Sequence, residues 1–357
     1  MSKSLLFIPD ISGYTHFIQT TEVEHSQHVI AELLEILIES NDSGFELAEI
    51  EGDALFFYLP DKLLPPRLLL NQIEKMFTAF YSHLSLLKHN RICPCNACAS
   101  APNLQLKIVA HCGDLQFINV QGTRKPFGPS VIEVHRLLKN SVQSDNYSLI
   151  SEELMEEISM DQSFASNIFN FNQGTDIYDG KNINYSFSKI DPKDLVLDEL
   201  EPIKKIKFNR EPDLTFHQSF PVDAAKLLES ITNYKYRLHW TEGVDKLEYK
   251  EEEVTRLGTE HKCIVKGTEL DFTTVTTDAN QGQLVYGEYT DSPPPVDGLY
   301  QFYIITPVSE IESTLKLELY WETNSLFKKL LMKYIGKSSF KKNINKALEG
   351  LLEYLKT

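Results

Sequence analysis

The feature that most constrains this chain is the stretch at residues 4–18, SLLFIPDISGYTHFI, in which an apolar run ends abruptly at Asp10. The run at residues 5–8 predicts a buried strand, and the following Ile-Ser-Gly-Tyr-Thr predicts a tight turn. An acid at a strand end, with Gly13 beside it so that backbone N–H groups can approach a phosphate, is what a metal-bound triphosphate requires. Asp10 is therefore the first candidate site residue. In the alternative interpretation, Asp10 or Ser12 only caps the helix that follows.

Length and charge limit the classes of protein that this chain can belong to. A chain of 357 residues predicts two domains. Its net charge of -16 argues against nucleic-acid partners and against docking on an anionic membrane, and we expect no basic patch to offset it. The longest apolar runs, such as residues 55–59, fall far short of the roughly 20 residues that span a bilayer, and the N-terminus lacks signal-peptide features. We expect a cytoplasmic protein without integral membrane association.

Four further segments of the first half have clear periodicity. Residues 26–40 and 66–88 carry apolar residues at the spacing of amphipathic helices. Residues 45–60 predict a β-hairpin, and residues 104–118 predict two strands separated by a break. The order strand, helix, hairpin, helix, strand pair favours an α+β fold with an antiparallel sheet and helices on one face.

Four short motifs follow one another in this half. They are Asp10-Ile11-Ser12-Gly13-Tyr14-Thr15, Gly52-Asp53, Ile108-Val109-Ala110-His111-Cys112-Gly113 and Phe127-Gly128-Pro129-Ser130-Val131. We place the hairpin turn at Glu51-Gly52, so that Asp53 opens the next strand. In this order and spacing, over residues 1–190, the motifs resemble those of the class III nucleotidyl (adenylate/guanylate) cyclase domain. The resemblance implies a ferredoxin-like antiparallel sheet with helices.

The resemblance also implies a metal site and a phosphate site. The two aspartates that hold divalent ions in this family match Asp10 and Asp53. Two converging carboxylates are hard ligands suited to Mg²⁺ or Mn²⁺, and the ions would activate the ribose hydroxyl and neutralise the triphosphate. The backbone of Gly13, Tyr14 and Thr15 would surround the phosphates of a purine nucleotide.

Two positions select the base in this family, and they match Glu49 and Lys125. A glutamate at the first position goes with guanine, because a carboxylate accepts from the guanine N1–H and exocyclic amine. Lys125 replaces the usual aspartate or cysteine and leaves the choice between ATP and GTP open. The alternative for Glu49 is an exposed hairpin residue without a role in binding.

The family's transition-state pair is an asparagine and an arginine, and the matching residues are Ile132 and Arg136. Arg136 is the implied catalytic residue, which stabilises charge on the transferred phosphoryl group. Isoleucine cannot replace a positioned donor, and loss of one such donor typically slows catalysis by about 10²- to 10³-fold. The family lysine is not clearly matched, since Lys181 lies one or two positions away. The resemblance further implies a homodimer, in which the aspartates of one subunit face Arg136 of the other.

Four of the five cysteines lie within twenty positions. Cys93, Cys95 and Cys98 have a spacing that allows three thiolates to share one tetrahedral Zn²⁺, with Cys112 or His89 as the fourth ligand. The alternatives are free thiols or a redox pair.

The second half begins after a predicted linker at residues 191–212. Residues 213–357 predict a strand, a helix, a series of alternating strands and a long last helix interrupted near Gly336. This order, with Leu238-His239-Trp240 before the second strand, resembles the START-like or polyketide-cyclase (SRPBCC) helix-grip fold. The resemblance implies a cavity for a hydrophobic small molecule or lipid. Aromatic residues that either line it or only fill the core are Tyr234, Tyr236, Trp240, Tyr286, Tyr300, Phe302, Tyr303 and Trp321.

Two functions therefore remain open at this stage. In the first, a purine nucleoside triphosphate is bound with a divalent metal and cyclised slowly, and this domain is coupled to a ligand-binding domain. In the second, the chain is a catalytically inactive sensor or interaction protein that responds to a lipid-like ligand. Ile132 favours the second.

Overall fold

A computed structural model of the chain describes residues 3–161, 166–200, 205–251, 253–265 and 267–356. The chain divides into two compact units, one of residues 1–88 and 100–200 and the other of residues 89–99 and 201–357. The assignment of residues 89–99 to the second unit differs from the predicted continuous first domain. Within that unit, Asn90 and Leu257 exchange two hydrogen bonds, of 2.9 and 3.1 Å.

Up to residue 120, the helices and strands of the first part of the chain include the predicted order of strand, helix, hairpin, helix and strand pair, and further elements follow. They are β1 (Ser4–Ser12), α1 (Tyr14–Thr20), α2 (Val23–Glu39), β2 (Glu46–Glu51), β3 (Ala54–Leu59), α3 (Pro66–His89), α4 (Asn96–Ser100), β4 (Gln105–Gly113), β5 (Gln116–Val120), β6 (Thr123–Phe127), α5 (Pro129–Leu137), β7 (Tyr147–Ser151), α6 (Glu152–Glu157), β8 (Asn172–Tyr178) and β9 (Lys181–Lys189).

In the described part of the first unit, seven strands form one sheet in the order β2-β3-β1-β4-β7-β9-β8. Neighbouring strands are antiparallel except β4 and β7, which are parallel. β1 lies between β3 and β4, and its residues 5–8 have no exposed surface, as expected for a continuous apolar run covered on both faces. β5 and β6 form a separate two-stranded ribbon.

The predicted hairpin is present, but its turn is shifted by one residue. β2 ends at Glu51 and β3 begins at Ala54, so Gly52 and Asp53 form the turn. The prediction that Asp53 opens the strand is therefore wrong. Gly52 has a φ of +72°, a left-handed conformation that glycine adopts without strain at the first position of a hairpin turn.

The second unit contains the remaining helices and strands. They are β10 (Leu214–Phe220), α7 (Ala224–Thr232), α8 (Tyr234–Trp240), β11 (Lys246–Glu248), β12 (Glu260–Val265), β13 (Thr268–Val275), β14 (Leu284–Asp291), β15 (Gly298–Ser309), β16 (Glu312–Glu322), α9 (Leu326–Leu331), a π-helical turn at Met332–Gly336, and α10 (Lys337–Tyr354).

Its described strands form one antiparallel sheet in the order β10-β16-β15-β14-β13-β12-β11. Leu227 of α7 and Leu351 of α10 pack with Leu317 and Tyr286 of the sheet in one buried cluster. The segment that ends at Trp240 is helix α8, and Trp240 packs in this core. The predicted interruption of the last helix is confirmed as the π-helical turn that ends at Gly336.

Both units combine helices with mostly antiparallel sheets, which confirms the predicted α+β class. Among the described helices, none is both long enough and apolar enough to cross a membrane.

Candidate functional site

Asp10 and Asp53 lie at the same end of the first unit's sheet. Asp10 is near the end of β1 and is paired with Ala54, the residue after Asp53. The backbone N–H of Ile11 donates to the backbone carbonyl of Asp53, with a nitrogen–oxygen distance of 3.0 Å. The side chain of Asp10 is only 15% exposed. The fold thus places the two aspartates that the sequence predicted as metal ligands beside each other, and Asp53 is close enough to raise the pKa of Asp10.

The charge around these carboxylates is not balanced. Burial raises the pKa of Asp10 to about 6, Lys107 opposes this rise, and the nearby carboxylates of Asp53 and Glu51 increase it. Lys107 is the nearest cation, with its Nζ 3.3 Å from Asp10 Oδ1. Burial also raises the pKa of Asp53. One ammonium group beside several carboxylates leaves negative charge that a divalent cation would neutralise.

Ser12 adds an oxygen on the same side of β1, because alternate residues of a strand share a face. It is buried, and its Oγ has no hydrogen-bond partner among the described residues. Helix α1 begins after Gly13, which caps it without a side-chain hydrogen bond. The alternative in which Asp10 or Ser12 caps this helix is therefore wrong, and the buried hydroxyl is an unmet polar group of the kind that a ligand satisfies.

The predicted phosphate-binding residues follow directly after this strand. Gly13 has a φ of +88°, while Tyr14 is half-buried and Thr15 is exposed at the start of α1. Because α1 has only seven residues, its terminal dipole is short and the backbone N–H groups would have to do most of the binding. The role of these three residues in phosphate binding stays a prediction.

The two residues assigned to base selection contact each other. Lys125 on β6 donates to Glu49 on β2, with a distance of 3.0 Å between Nζ and Oε2. Both side chains are close to half exposed, at 40% and 48%. Glu49 is thus not an isolated exposed residue. A purine base that donated a hydrogen bond to Glu49 would have to share the carboxylate with Lys125 or displace the lysine.

Helix α5 presents the two transition-state positions on its outer side. Val134 and Leu137 pack in the same core cluster as Leu6, while Ile132 is 55% exposed. The guanidinium of Arg136 is hydrogen-bonded to the carboxylate of Asp179, in the turn between β8 and β9. The one cation expected to stabilise phosphoryl charge therefore already has a carboxylate partner within its own chain.

His135, also on α5, is a contact that the sequence did not reveal. Its Nε2 lies 2.9 Å from Glu51 Oε1, and its Nδ1 lies 2.7 Å from the carbonyl oxygen of Val131. Glu51 is the last residue of β2, two positions before Asp53. The histidine therefore connects helix α5 to the end of β2, beside the turn that carries the predicted metal ligand Asp53.

A second cluster of titratable side chains lies around His111. The sequence spacing does not indicate it, because His111, Glu133 and Glu153 lie on β4, α5 and α6. His111 Nδ1 is 2.9 Å from Ser151 Oγ, and its Nε2 is 3.4 Å from Glu133 Oε2. Glu153 is also within 4.8 Å of these ligand-type atoms. Lys3 pairs with Glu153 at 2.5 Å, so one of the two carboxylates in this group already has a cationic partner.

The three clustered cysteines have converging sulfur atoms. The Sγ atoms of Cys93, Cys95 and Cys98 lie within 4.8 Å of one another. The backbone N–H of Cys98 donates to Cys95 Sγ at 3.3 Å, and the neighbouring thiols together with burial raise the pKa of Cys98. Bound Zn²⁺ would hold such thiols as thiolates.

Cys112, the predicted fourth zinc ligand, is in a different environment. It is fully buried in β4 of the first unit, paired with Leu5 of β1. Burial raises the pKa of its thiol to about 12, with Glu153 and Lys3 as the nearest charges. No group of three or more metal-ligand side chains among the described residues includes Cys112. The structure gives it no role in zinc binding.

The interior of the second unit contains a charged network that the sequence did not predict. Arg237 of α8 is hydrogen-bonded to Glu288 of β14, and Tyr286 donates to the same carboxylate at 2.6 Å. His261 of β12 lies 3.5 Å from Glu288. All four residues are buried. The arginine and glutamate are 51 positions apart, and no periodicity marks such a pair.

The aromatic residues expected to line a cavity are mostly core residues. Trp240, Tyr286 and Tyr303 belong to the main core cluster, and Trp321 packs against it. An open pocket of about 670 Å³ lies beside α9, and its lining includes Arg210, Lys329, Lys333 and Lys337. The apolar cavity that the resemblance implied stays a prediction, and this pocket is a basic one.

Comparisons with known sequences match part of the chain. Residues 30–147 match a family described as a protein of unknown function, DUF2652. The uncharacterized protein Rv2561/Rv2562 of Mycobacterium tuberculosis is 33% identical over 123 residues, which are 34% of this chain and 57% of that protein. The chain thus spans less than two thirds of the length of this curated relative.

Solved structures similar to about half of the chain include adenylyl and guanylyl cyclase catalytic domains. The guanylate cyclase domain of RhGC from Catenaria anguillulae, in complex with GTP, is 12% identical and covers 53% of this chain and 97% of its own, with a TM-score of 0.38. A bacterial light-regulated adenylyl cyclase is 12% identical, with coverages of 54% and 91% and a TM-score of 0.38.

The hypothetical protein jhp0584 from Helicobacter pylori is 11% identical to this chain. It matches over 44% of this chain and 99% of its own length, with a TM-score of 0.34. All three TM-scores are below 0.5.

Proposed function

We propose that the first unit binds a purine nucleoside triphosphate with Mg²⁺ or Mn²⁺ and is a weak nucleotidyl cyclase. The observation that carries this proposal is the meeting of Asp10 and Asp53 at one sheet end, where burial raises the pKa of Asp10 to about 6. A buried carboxylate with a raised pKa is stabilised by a bound cation, and perturbed pairs of this kind concentrate at functional sites.

In this proposal, Asp10 and Asp53 hold the ion, with Ser12 Oγ as a further oxygen nearby. These are oxygen donors, the ligand type that Mg²⁺ and Mn²⁺ prefer. When bound, the divalent ion supplies charge neutralisation at the triphosphate and activates the ribose 3′-hydroxyl. The backbone N–H groups of Gly13 to Thr15 would contact the phosphate oxygens, and Lys107 would set how tightly the cation binds.

The base would meet the Glu49–Lys125 pair. Glu49 can accept from the guanine N1–H and amine, and Lys125 can donate to the guanine carbonyl or to an adenine ring nitrogen. The pair can therefore accommodate either purine. Guanine would hydrogen-bond to both Glu49 and Lys125.

Catalysis would take place between two copies of the chain. On the first unit, Ile118, Val120, Phe127 and Ile132 are between 42% and 55% exposed, and large exposed apolar side chains of this kind support a covering partner surface. In such a homodimer, Arg136 of one copy would face Asp10 and Asp53 of the other and stabilise the charge on the transferred phosphoryl group. Turnover would be slow because Ile132 donates no hydrogen bond to the ribose.

The test is the formation of cyclic product by the purified chain with Mn²⁺ and either GTP or ATP. Ile132→Asn should raise turnover by about tenfold or more, since one preorganised donor contributes about 10²- to 10³-fold in a complete site. Ile132→Val is the matched control, because it changes the same exposed position without adding a donor. Equal rates for the two variants would refute the proposed role of position 132.

A second candidate function is a nucleotide-binding sensor without catalysis. It is favoured by the Arg136–Asp179 pair, which engages the arginine within its own chain, and by Ile132, which supplies no hydrogen-bond donor to a ribose. Nucleotide binding by the wild type, with no cyclic product from either the wild type or Ile132→Asn, would identify this function.

For the second unit we propose a START-like domain that takes up a hydrophobic small molecule or lipid. The support is its antiparallel sheet with α7 and α10 packed on it. Mass spectrometry of a solvent extract of purified protein tests this. If the extract contains no lipid in an amount comparable to that of the protein, and the protein takes up no added lipid, the carrier role is refuted.

We also propose that Cys93, Cys95 and Cys98 bind Zn²⁺, on the basis of their converging sulfur atoms. Elemental analysis of the purified protein should find about one equivalent of zinc, and Cys95→Ser should lose it. Cys263→Ser, at a buried cysteine of the same unit, is the control.

A further inference from the structure

The segment at residues 326–342 has an unusual composition for this chain. It contains six lysines and neither aspartate nor glutamate, although the whole chain has a net charge of -16. The sequence-based expectation that no basic patch offsets the acidic charge is therefore wrong for this segment. Residues 326–342 are called the lysine-rich segment below.

The inner side of the lysine-rich segment is fully used by packing. Met332 and Gly336 are buried, and Phe340 packs against the core cluster. A Cβ on Gly336 would lie only 2.3 Å from Met332 Sδ, so this side fits closely against its neighbours. The apolar residues on the other side are not needed to cover the core.

The outer side of the lysine-rich segment is nevertheless apolar. Leu326, Phe327, Leu330, Tyr334 and Ile335 are 80%, 73%, 55%, 72% and 63% exposed. The first four recur at three- and four-residue spacing, which places them on one side of the helical segment. Five large apolar side chains within ten positions form a surface patch of the kind that marks an interaction site.

The charges lie along one edge of this patch. Lys329, Lys333 and Lys337 are four positions apart, which puts them in one row, and all three line the 670 Å³ pocket together with Arg210. The carboxylates of Asp213 and Glu322 are also part of the lining, and Asp213 is already paired with Arg210 at 2.6 Å. Cationic groups are therefore in excess beside the apolar side.

We propose that the lysine-rich segment docks on an anionic lipid membrane. The exposed apolar side chains enter the interfacial layer, and the row of lysines contacts the phosphate-bearing headgroups, as in amphipathic helices that lie in the membrane plane. A second copy that docks through the same segment is disfavoured as occupant, because two lysine-rich surfaces repel each other. Such binding is peripheral and involves no membrane-spanning helix.

The experiment is co-sedimentation of the full chain with vesicles of phosphatidylcholine and phosphatidylserine at a ratio of about 7:3, and with phosphatidylcholine alone. The apolar variant is Phe327→Ser with Leu330→Ser, and the charge variant is Lys329→Gln, Lys333→Gln and Lys337→Gln. The matched control is Val308→Ser with Ile311→Ser, whose apolar residues are 55% and 77% exposed in the same unit but lie beside Glu310 and Glu312.

We expect binding to the anionic vesicles, weakened by about fivefold for each lysine removed and by about tenfold or more in the apolar variant, with the control unchanged. Added salt should release the protein, because screening removes the attraction of the lysines. Wild-type protein that stays in the supernatant with anionic vesicles overturns the proposal, and so does equal loss in the control. A dimer that dissociates in the apolar variant, without vesicle binding, would assign this surface to a second copy instead.

Discussion

Two buried carboxylates, one in each unit, have opposite electrostatic surroundings. Burial favours the neutral form of Glu288, but Arg237, His261 and the hydrogen bond from Tyr286 outweigh it, so the pKa of Glu288 is lowered. Asp10 has Lys107 as its close cation and Asp53 as a further carboxylate, and burial raises its pKa to about 6. Both acids are surrounded by protein, yet only Glu288 has its charge compensated.

The difference separates a structural use of a buried acid from a ligand-binding one. A compensated acid is costly to remove from one side, since its removal leaves a buried partner without its countercharge. An undercompensated acid weakens the fold until a cation binds, which is the usual balance between stability and function at a site. The comparison therefore predicts that substitutions at the two carboxylates change stability in opposite directions.

The largest effect is expected from Glu288→Gln. It leaves the buried guanidinium of Arg237 without its countercharge, and breaking a buried pair from one side destabilises by about 3–5 kcal/mol. Urea unfolding measures the change. Glu269→Gln is the control, since Glu269 is 63% exposed and pairs with Lys262 at 2.9 Å; it should change stability by less than about 1 kcal/mol. Equal destabilisation by both variants would contradict the assignment of Glu288 as the countercharge of Arg237.

The opposite sign is expected from Asp10→Asn. The neutral amide removes the buried charge, so the metal-free protein should become more stable at pH 7 by about 1–3 kcal/mol. The same variant should lose Mn²⁺ binding. Asp114→Asn, at an exposed aspartate of the same unit, should change neither quantity. A destabilised Asp10→Asn protein would show that the carboxylate is structural.

The pH dependence of the two units should also differ in sign. Asp10 has a pKa of about 6 in the fold and 3.8 unfolded, so the first unit gains stability as the pH falls from 6 towards 4. Burial lowers the pKa of His261 from 6.5 to about 4, so the second unit loses stability over the same range. Hydrogen exchange of β1 and β12, corrected for intrinsic rates, checks both trends. Parallel trends in the two strands would refute the comparison.

A smaller effect is expected from Lys107→Gln. Removing the ammonium 3.3 Å from Asp10 takes away a competitor of the divalent ion, so Mn²⁺ should bind about tenfold more tightly. Lys62→Gln is the control, because Lys62 follows the far end of β3 and is exposed. Isothermal titration calorimetry gives both affinities. Unchanged or weaker Mn²⁺ binding by Lys107→Gln would mean that the ion does not bind beside Asp10.

Much of this fold followed from local patterns. The helix predicted at residues 66–88 is present as α3, since its apolar spacing is sustained over six turns. The predicted succession of strand, helix, hairpin, helix and strand pair in residues 4–118 is also present, and the charge that ends an apolar run identifies Asp10. These features are set by residues close together in sequence.

The parts that the sequence did not reveal depend on contacts between distant residues. Glu288 and Arg237 lie on a strand and a helix, and an isolated glutamate in a strand carries no signal of burial. Glu49 and Lys125 are 76 positions apart, so their ion pair follows from the packing of β2 near β6. The turn at Gly52 was misplaced by one residue because both Glu51-Gly52 and Gly52-Asp53 suit a hairpin turn.

The most direct test of the account is a Mn²⁺ titration of the purified chain, followed by electron paramagnetic resonance, with and without GTP. The account predicts that GTP tightens Mn²⁺ binding by at least about tenfold in the wild type, since ion and triphosphate share one site. Asp53→Asn should abolish both the Mn²⁺ binding and its response to GTP. Wild-type protein that binds no Mn²⁺ in the presence of GTP, or an Asp53→Asn variant that binds it as tightly, would contradict the account.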